Sequence, residues 1–383
     1  MIGRRIKVLQ LHPDYNIKAH DFADLGEQIF KALPVDRYET VNAFLRGQPA
    51  PGAPVSRADR SVYFGLTDAQ LKGMRVRAMW RLYQFCRAEQ FDVVICNRFK
   101  PVNMMLQLNR WLKVPLCIGI AHGFGEYDRF YRRRQTKRLI DKSWRFVGVS
   151  PAVKQYLLDC DCGFTEFNTV AITNAIDIEQ AKALQLSRED ARSQLGLDPN
   201  ARLIGALGRL VPVKGHIYLI RAFASIKDRY LHAQLAIIGA GREDANLLAE
   251  IDRLGLAGRV HLLGFREDAL QYVRAFDIWA MPSLAEGLGL ALLEGMSGAL
   301  PVIATDVPAM LPLIKGAGGI AVPPANADAL SEALDSYLSL SDSQLRDKGE
   351  QAYRYLIENH EIGLFREKYL GLIELNLKPY GFK

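Results

Sequence analysis

With 383 residues, 49% of them hydrophobic and 24% charged, the chain is too long for one small module and too apolar to stay disordered; its length predicts two or three domains. Lys and Arg total 49 against 42 Asp and Glu, a net charge of +7. The excess is uneven: residues 1–173 hold 27 basic and 16 acidic side chains, the remainder 22 and 26. No uncharged run reaches the roughly 18 apolar residues of a spanning helix. The first ten residues lack a signal-peptide core, so a cytoplasmic protein is expected. Five cysteines without a CxxC pair argue against a disulfide framework or a zinc knuckle.

Short apolar runs alternate with amphipathic stretches along the whole chain, the signature of parallel strands joined by helices. Expected strands in the first half are Ile6–Leu11, Tyr38–Phe44, Phe91–Cys96, Pro115–Ile120, Phe146–Val149 and Asn168–Ile172. Between the second and third, Pro49, Pro51 and Pro54 mark a surface insertion at Gly47–Pro54. The second half repeats the rhythm with Leu203–Leu207, Leu235–Ile238, Val260–Leu263, Ile278–Met281, Val302–Thr305 and Gly319–Val322. The pattern predicts an α/β protein of two facing Rossmann-like, doubly wound domains with a ligand cleft between them. The expected domains are residues 1–173 and 174–359, with a terminal helix, 360–383, packing back on the first.

Gly208-Arg209-Leu210-Val211-Pro212-Val213-Lys214-Gly215 follows a strand and precedes a helix, which sets two cations beside helix amides that favour anions. Lys214 is followed by Gly215 rather than Ser or Thr, so this is not a Walker A loop. Gly239-Ala240-Gly241 reads as a tight turn, because Asp244 occupies the third glycine position of a dinucleotide fingerprint. In Pro282-Ser283-Leu284-Ala285-Glu286-Gly287-Leu288-Gly289, two glycines let backbone amides approach a ligand, and Glu286 and Glu294 offer acceptors suited to vicinal hydroxyls.

These residues resemble the retaining glycosyltransferases of family 4, which have the two-domain B-type (GT-B) fold. The likeness lies in the glutamates of Pro-Ser-x-x-Glu-Gly-x-Gly-Leu and the following helix, in Pro301-Val302-Ile303-Ala304-Thr305, and in Gly208-Arg209 with Lys214-Gly215. Val149-Ser150, Asn174-x-Ile176-Asp177 and Gly264-Phe265 add to it. The resemblance implies that Gly208, Arg209 and Lys214 hold a donor diphosphate, Glu294 the ribose hydroxyls, and Glu286 the 3- and 4-hydroxyls of the transferred sugar. Gly287, Leu288 and Gly289 would complete the cradle, and Phe265 and Arg266 would lie against the nucleobase. His122, at a strand end among glycines, resembles the family histidine at the reaction centre. The sequence departs from the family at Leu11-His12-Pro13-Asp14-Tyr15-Asn16, where a glycine pair is usual, and at Ala175, Ala299 and Pro312.

The implied reaction is retaining, metal-independent transfer of a sugar from a nucleoside diphosphate to a glycan or glycolipid in bacterial surface-polysaccharide or lipopolysaccharide-core assembly. No cofactor or metal is expected. Catalysis would rest on His122, Glu286, Arg209 and Lys214, the cations stabilising charge on the leaving oxygen. The enzyme alternatives are a nucleotide-sugar epimerase of similar build and a glycosidase; a neutral glycoside gives no use for Arg209 and Lys214. Arg129–Arg145 carries eight basic residues against Asp141, interleaved with aromatics. A cationic helix there, with Arg132, Arg133, Arg134, Lys137 and Arg138, is expected to face an acidic acceptor or an anionic membrane surface. Such a charge also raises nucleic-acid binding, but no nucleic-acid module accompanies it, and none is expected.

Overall fold

The computed structural model describes residues 4–18 and 24–381. The chain divides into two units, one of Met1–Asn174 with Ile362–Lys383 and one of Ala175–Glu361. The first is built on seven strands: β1 (Ile6–Asp14), β2 (Tyr38–Arg46), β3 (Arg60–Tyr63), β4 (Val93–Asn97), β5 (Leu116–Ala121), β6 (Trp144–Gly148) and β7 (Thr169–Ala171). They form one parallel sheet in the order β3-β2-β1-β4-β5-β6-β7. Every residue of β4 and β5 is buried, so these strands read as continuous apolar runs rather than alternating ones, as a sheet covered on both faces requires.

The second unit carries β8 (Arg202–Leu207), β9 (Ala233–Ile238), β10 (Val260–Leu262), β11 (Ile278–Met281), β12 (Val302–Thr305) and β13 (Ile320–Val322). Their order, β10-β9-β8-β11-β12-β13, is again all parallel. Its core is aliphatic: Leu235, Ile237, Leu219, Phe223 and Leu334 are essentially inaccessible. Each such side chain contributes about 1.5–3 kcal/mol by leaving water. Both sheets are therefore doubly wound, each with a switch point where successive connections leave in opposite directions: between β1 and β4, and between β8 and β11.

The expected strands all form. β3 was absent from the expectation because Arg60-Ser61-Val62-Tyr63 is a half-exposed edge strand without an apolar run. The expected helix over Arg129–Arg145 is shorter: it spans Phe130–Leu139, and Trp144 and Arg145 open β6. Trp144 is 1% exposed and stacks on Phe146 at 5.6 Å, so it belongs to the core and not to a cationic surface. The helix Ile362–Leu377 belongs to the first unit, where Arg366 donates to Gln28 and Glu374 pairs with Arg37 at 2.8 Å. All five cysteines are buried free thiols, and among the described residues no helix is long and apolar enough to cross a membrane.

Candidate functional site

In the second unit the loops leaving β8 and β11 meet at the switch point. The β8 loop passes through a short turn at Pro212–Lys214 into the helix His216–Ile226, and Leu284 donates its amide to the Val213 carbonyl at 2.7 Å. Gly215 makes the approach possible. It sits at φ +67°, and a Cβ there would lie 2.0 Å from the Pro282 carbonyl oxygen. Thr305, at the end of β12, fixes the other side by donating its hydroxyl to the Ser283 carbonyl.

This stitching brings Lys214 Nζ to 2.5 Å from Glu286 Oε1, with both side chains more than four-fifths buried. Arg209 stands exposed on the same loop and makes no ion pair among the described residues. Beneath them His216 is 4% exposed, and both its ring nitrogens are buried without a hydrogen-bond partner. Burial, then the nearby Lys214 charge, lowers its pKa to about 4, so the ring is neutral and adds no cation. The helix Leu290–Ser297 begins at Gly289, φ +94°, and Glu294 lies one turn inside it, flanked by buried Leu292, Leu293 and Met296. The site thus offers two cations, two carboxylates and two helix N-termini on one sheet edge. That is a place for an anion bearing hydroxyl groups.

Of the donor-side residues singled out from sequence, Gly208, Arg209, Lys214, Glu286, Gly287, Leu288, Gly289 and Glu294 all fall on these two loops and the helix after the second. Leu288 is buried and serves packing. Phe265 and Arg266 lie on the loop after β10, further along the sheet, with Phe265 74% exposed. Gly239 is a close-approach glycine: a Cβ would fall 1.9 Å from the Gly208 carbonyl oxygen.

The first unit gathers a second polar cluster at the ends of the adjacent strands β1, β4 and β5. His122 follows β5 and its Nε2 donates to Asn97 Oδ1 at 3.1 Å. Its ring is exposed, yet the protein crowded around it and the Arg98 charge lower its pKa, which keeps it neutral near pH 7. His12, at the end of β1, is buried and accepts from Gln10 Nε2 at 2.7 Å; burial, His122 and Arg98 take its pKa to about 3. Arg98 joins β4 to the helix Phe99–Leu112 at φ +66°, a conformation that a side chain adopts only when its surroundings impose it.

Sequence reasoning found His122 but missed Asn97, Arg98 and Glu126. Burial raises the Glu126 pKa to about 7, against the pull of the nearby His122 and Phe99 amides and the Arg98 charge, and its Oε2 is buried without a hydrogen-bond partner among the described residues. A legible signal was the polar pair Asn97-Arg98 directly after the apolar run of β4. For Glu126, four residues past His122, there was none. The five basic residues of the helix Phe130–Leu139 do not form one free face. Arg132 turns inward, donating to the Glu126 carbonyl at 2.7 Å with its guanidinium 4.2 Å from the Phe99 ring centre. Arg133, Arg134, Lys137 and Arg138 are all exposed, but Arg133 donates to the Tyr127 carbonyl and Lys137 pairs with Asp161, so Arg134 and Arg138 are the exposed ones without such a partner among the described residues.

Residues 187–355 match the family model described as Glycosyl transferases group 1, and residues 36–180 match that of Glycosyltransferase Family 4. The second unit is a glycosyl transferases group 1 domain. Among curated relatives, the D-inositol 3-phosphate glycosyltransferase of Corynebacterium urealyticum is 31% identical over 202 residues, 49% of this chain and 48% of that protein. The UDP-Gal:alpha-D-GlcNAc-diphosphoundecaprenol alpha-1,3-galactosyltransferase of Escherichia coli is 25% identical over 71% of this chain and 74% of its own. Over the first such relatives the chain spans about half of their length or less. Among solved structures, a glycosyltransferase from Rickettsia africae superimposes with a TM-score of 0.82 at 19% identity, covering 98% of this chain and all of that one. Anabaena Alr3699/HepE in complex with UDP-glucose gives 0.77 at 19%, covering 97% of this chain and all of that one. The fold of the group 1 domain and of the unit before it is that of the GT-B glycosyltransferases.

Proposed function

We propose that the chain is a retaining glycosyltransferase that moves a sugar from a nucleoside diphosphate to a hydroxyl of a glycan or glycolipid. The observation that carries this reading is the Lys214–Glu286 pair beside exposed Arg209 at the switch point of a group 1 domain. A diphosphate needs the cations and the helix N-termini, and a sugar ring needs the carboxylates. Structural neighbours in complex with UDP and UDP-glucose, and the diphosphoundecaprenol acceptor in the name of the Escherichia coli relative, support the same substrate classes.

In this mechanism Arg209 and Lys214 bind the diphosphate and stabilise the negative charge that grows on the leaving oxygen, and the amides around Gly287–Gly289 add to them. Glu286 orients the sugar by accepting from its hydroxyls, and Glu294 accepts from the ribose. Retention follows from attack of the acceptor hydroxyl on the face the diphosphate leaves, the leaving phosphate taking the proton. His122, neutral and held by Asn97, presents a hydrogen-bonding ring at the reaction centre. The first unit binds the acceptor, with Arg134 and Arg138 toward its acidic groups, at the cytoplasmic face of a bacterial membrane during surface-polysaccharide or lipopolysaccharide-core assembly.

A thermal-shift panel of nucleoside diphosphates, followed by release of free nucleoside diphosphate from the matching sugar donor, tests the reading. Stabilisation by one nucleoside diphosphate and release dependent on an added acceptor are expected. Interconversion of the sugar without release would make the protein an epimerase, and no stabilisation by any of the panel would overturn the donor site.

A further inference from the structure

The first unit exposes an apolar face that its fold does not use. Met74 is 87% exposed, Val76 67%, Trp80 59% and Trp111 66%. They line a groove of about 490 Å³ between the helices Val76–Glu89 and Phe99–Leu112, with Tyr83 and Leu108 at its base. Val76, Trp80 and Tyr83 recur at helical spacing on the side opposite buried Ala78, Leu82 and Cys86, so the first helix is apolar on both sides. Arg77, Arg81 and Gln84 lie between these two faces, so the outer face is an apolar patch rimmed by polar groups, and two exposed tryptophans 31 positions apart in sequence meeting in one groove are not scattered surface residues.

Charge says what covers it. Residues 69–125 hold nine Lys and Arg and only two acids, Glu89 and Asp92. Both acids are already paired, Glu89 with Arg60 and Lys7, and Asp92 with Arg4. Lys72, Arg77, Arg110 and Lys113 are exposed and make no ion pair among the described residues. Tryptophan, with an apolar body and a polar N–H, and a collar of cations are the side chains that settle at the headgroup level of an anionic bilayer. We propose that this groove, and not the arginine-rich helix Phe130–Leu139, is the face by which the chain docks on an anionic membrane surface. The three helices form one platform, because buried Asn103 accepts from Arg75 at 2.6 Å and donates to Gln135 at 2.8 Å. The docked face is independent of the donor loops.

The test is co-sedimentation of the full chain with vesicles of phosphatidylcholine, alone or with one third phosphatidylglycerol, read together with tryptophan fluorescence. Two of the four tryptophans, Trp144 and Trp279, are 1% exposed, so a blue shift and quenching by brominated lipid report on Trp80 and Trp111. Binding to the anionic vesicles with a blue shift, and little to neutral ones, is expected. Trp80→Ser with Trp111→Ser should lower partition at least about tenfold. Arg77→Glu with Arg110→Glu should lower it at least about twentyfold. Both pairs are on the surface; an unchanged far-UV spectrum and melting profile show that they fold, and unchanged stabilisation by the nucleoside diphosphate that the panel selects separates this result from failure of the donor reading. Binding lost with Arg134→Glu and Arg138→Glu but kept in the tryptophan pair would overturn the proposal. So would equal binding to neutral vesicles, no binding to either, or a dimer that the tryptophan pair dissolves.

Discussion

Glu286→Gln separates the two tasks assigned to the donor loops. The carboxylate holds Lys214 at 2.5 Å, an attraction of about 4 kcal/mol between unit charges at about 4 Å and an effective dielectric of about 20. Desolvation returns most of it, and a charged hydrogen bond of this kind nets about 1.5–3 kcal/mol. The amide releases the ammonium from that restraint and removes a negative charge from the neighbourhood of a diphosphate. The nucleoside diphosphate that the panel selects, which has no sugar, should therefore bind the variant as well as the parent or up to about tenfold more tightly. The sugar donor loses two charge-assisted hydrogen bonds to its hydroxyls, about 3–6 kcal/mol together, so transfer should fall by about 10² to 10⁴. Calorimetric titration with that nucleoside diphosphate and its acceptor-dependent release from the matching sugar donor measure the two quantities. Mass spectrometry of the variant should show no glycosyl-enzyme, since Glu286 orients the sugar and does not attack it. A loss of nucleoside-diphosphate affinity of more than about tenfold, in step with the loss of transfer, would refute the division of roles.

Arg209→Ala removes an exposed side chain without an ion pair among the described residues, so stability should stay within about 0.5 kcal/mol while nucleoside-diphosphate affinity falls by about tenfold or more, by thermal melt and titration on the same sample. Gly215→Ala places a methyl 2.0 Å from the Pro282 carbonyl at φ +67°. It should cost about 3 kcal/mol and lower the melting temperature by roughly 8 °C, weakening nucleoside-diphosphate binding through loop displacement. The pH dependence has a definite sign at His216. Its folded pKa of about 4 lies below the usual 6.5, so between those values the unfolded chain binds the extra proton and stability falls as pH falls. Denaturant unfolding at pH 7 and pH 4.5 should show His216→Gln spared about 2–3 kcal/mol of that loss, and an unchanged pH slope would count against a buried neutral ring.

The sequence carried the strands because both sheets are covered on two faces, so runs such as Val93-Val94-Ile95-Cys96 had to be apolar throughout. It hid β3, whose edge position lets Arg60 and Ser61 face water. The donor loops were legible because their chemistry is local: Arg209 and Lys214 lie within one turn, and Glu286 beside the glycines that shape its own loop. Their meeting was less so, since it depends on Gly215 admitting the Pro282 carbonyl, a contact between segments 67 positions apart. In the first unit, His122 stood out at a strand end, but Arg98 and Glu126 reach it from a different connection and from further along its own. The charge run Arg129–Arg145 misled because count does not tell direction: Arg132 points inward at Phe99, and Trp144 belongs to a strand.

The second unit is an insertion. It leaves the first after Asn174 and returns at Ile362, and its two ends lie side by side, Ile176 bridging Glu361 and donating its amide to the His360 carbonyl at 3.0 Å. One continuous stretch of chain, Ala175–Glu361, can therefore be cut out with its ends already joined by backbone hydrogen bonding. The remaining two pieces could be respliced across a gap of a few residues. Stopping the chain at Glu361 has the opposite effect: it spares the insertion and strips its host of the helix that meets Gln28 and Arg37. Gene fragments and proteolytic cuts on this protein are thus unequal, and a shortened C-terminus damages the part of the molecule farthest from it in sequence.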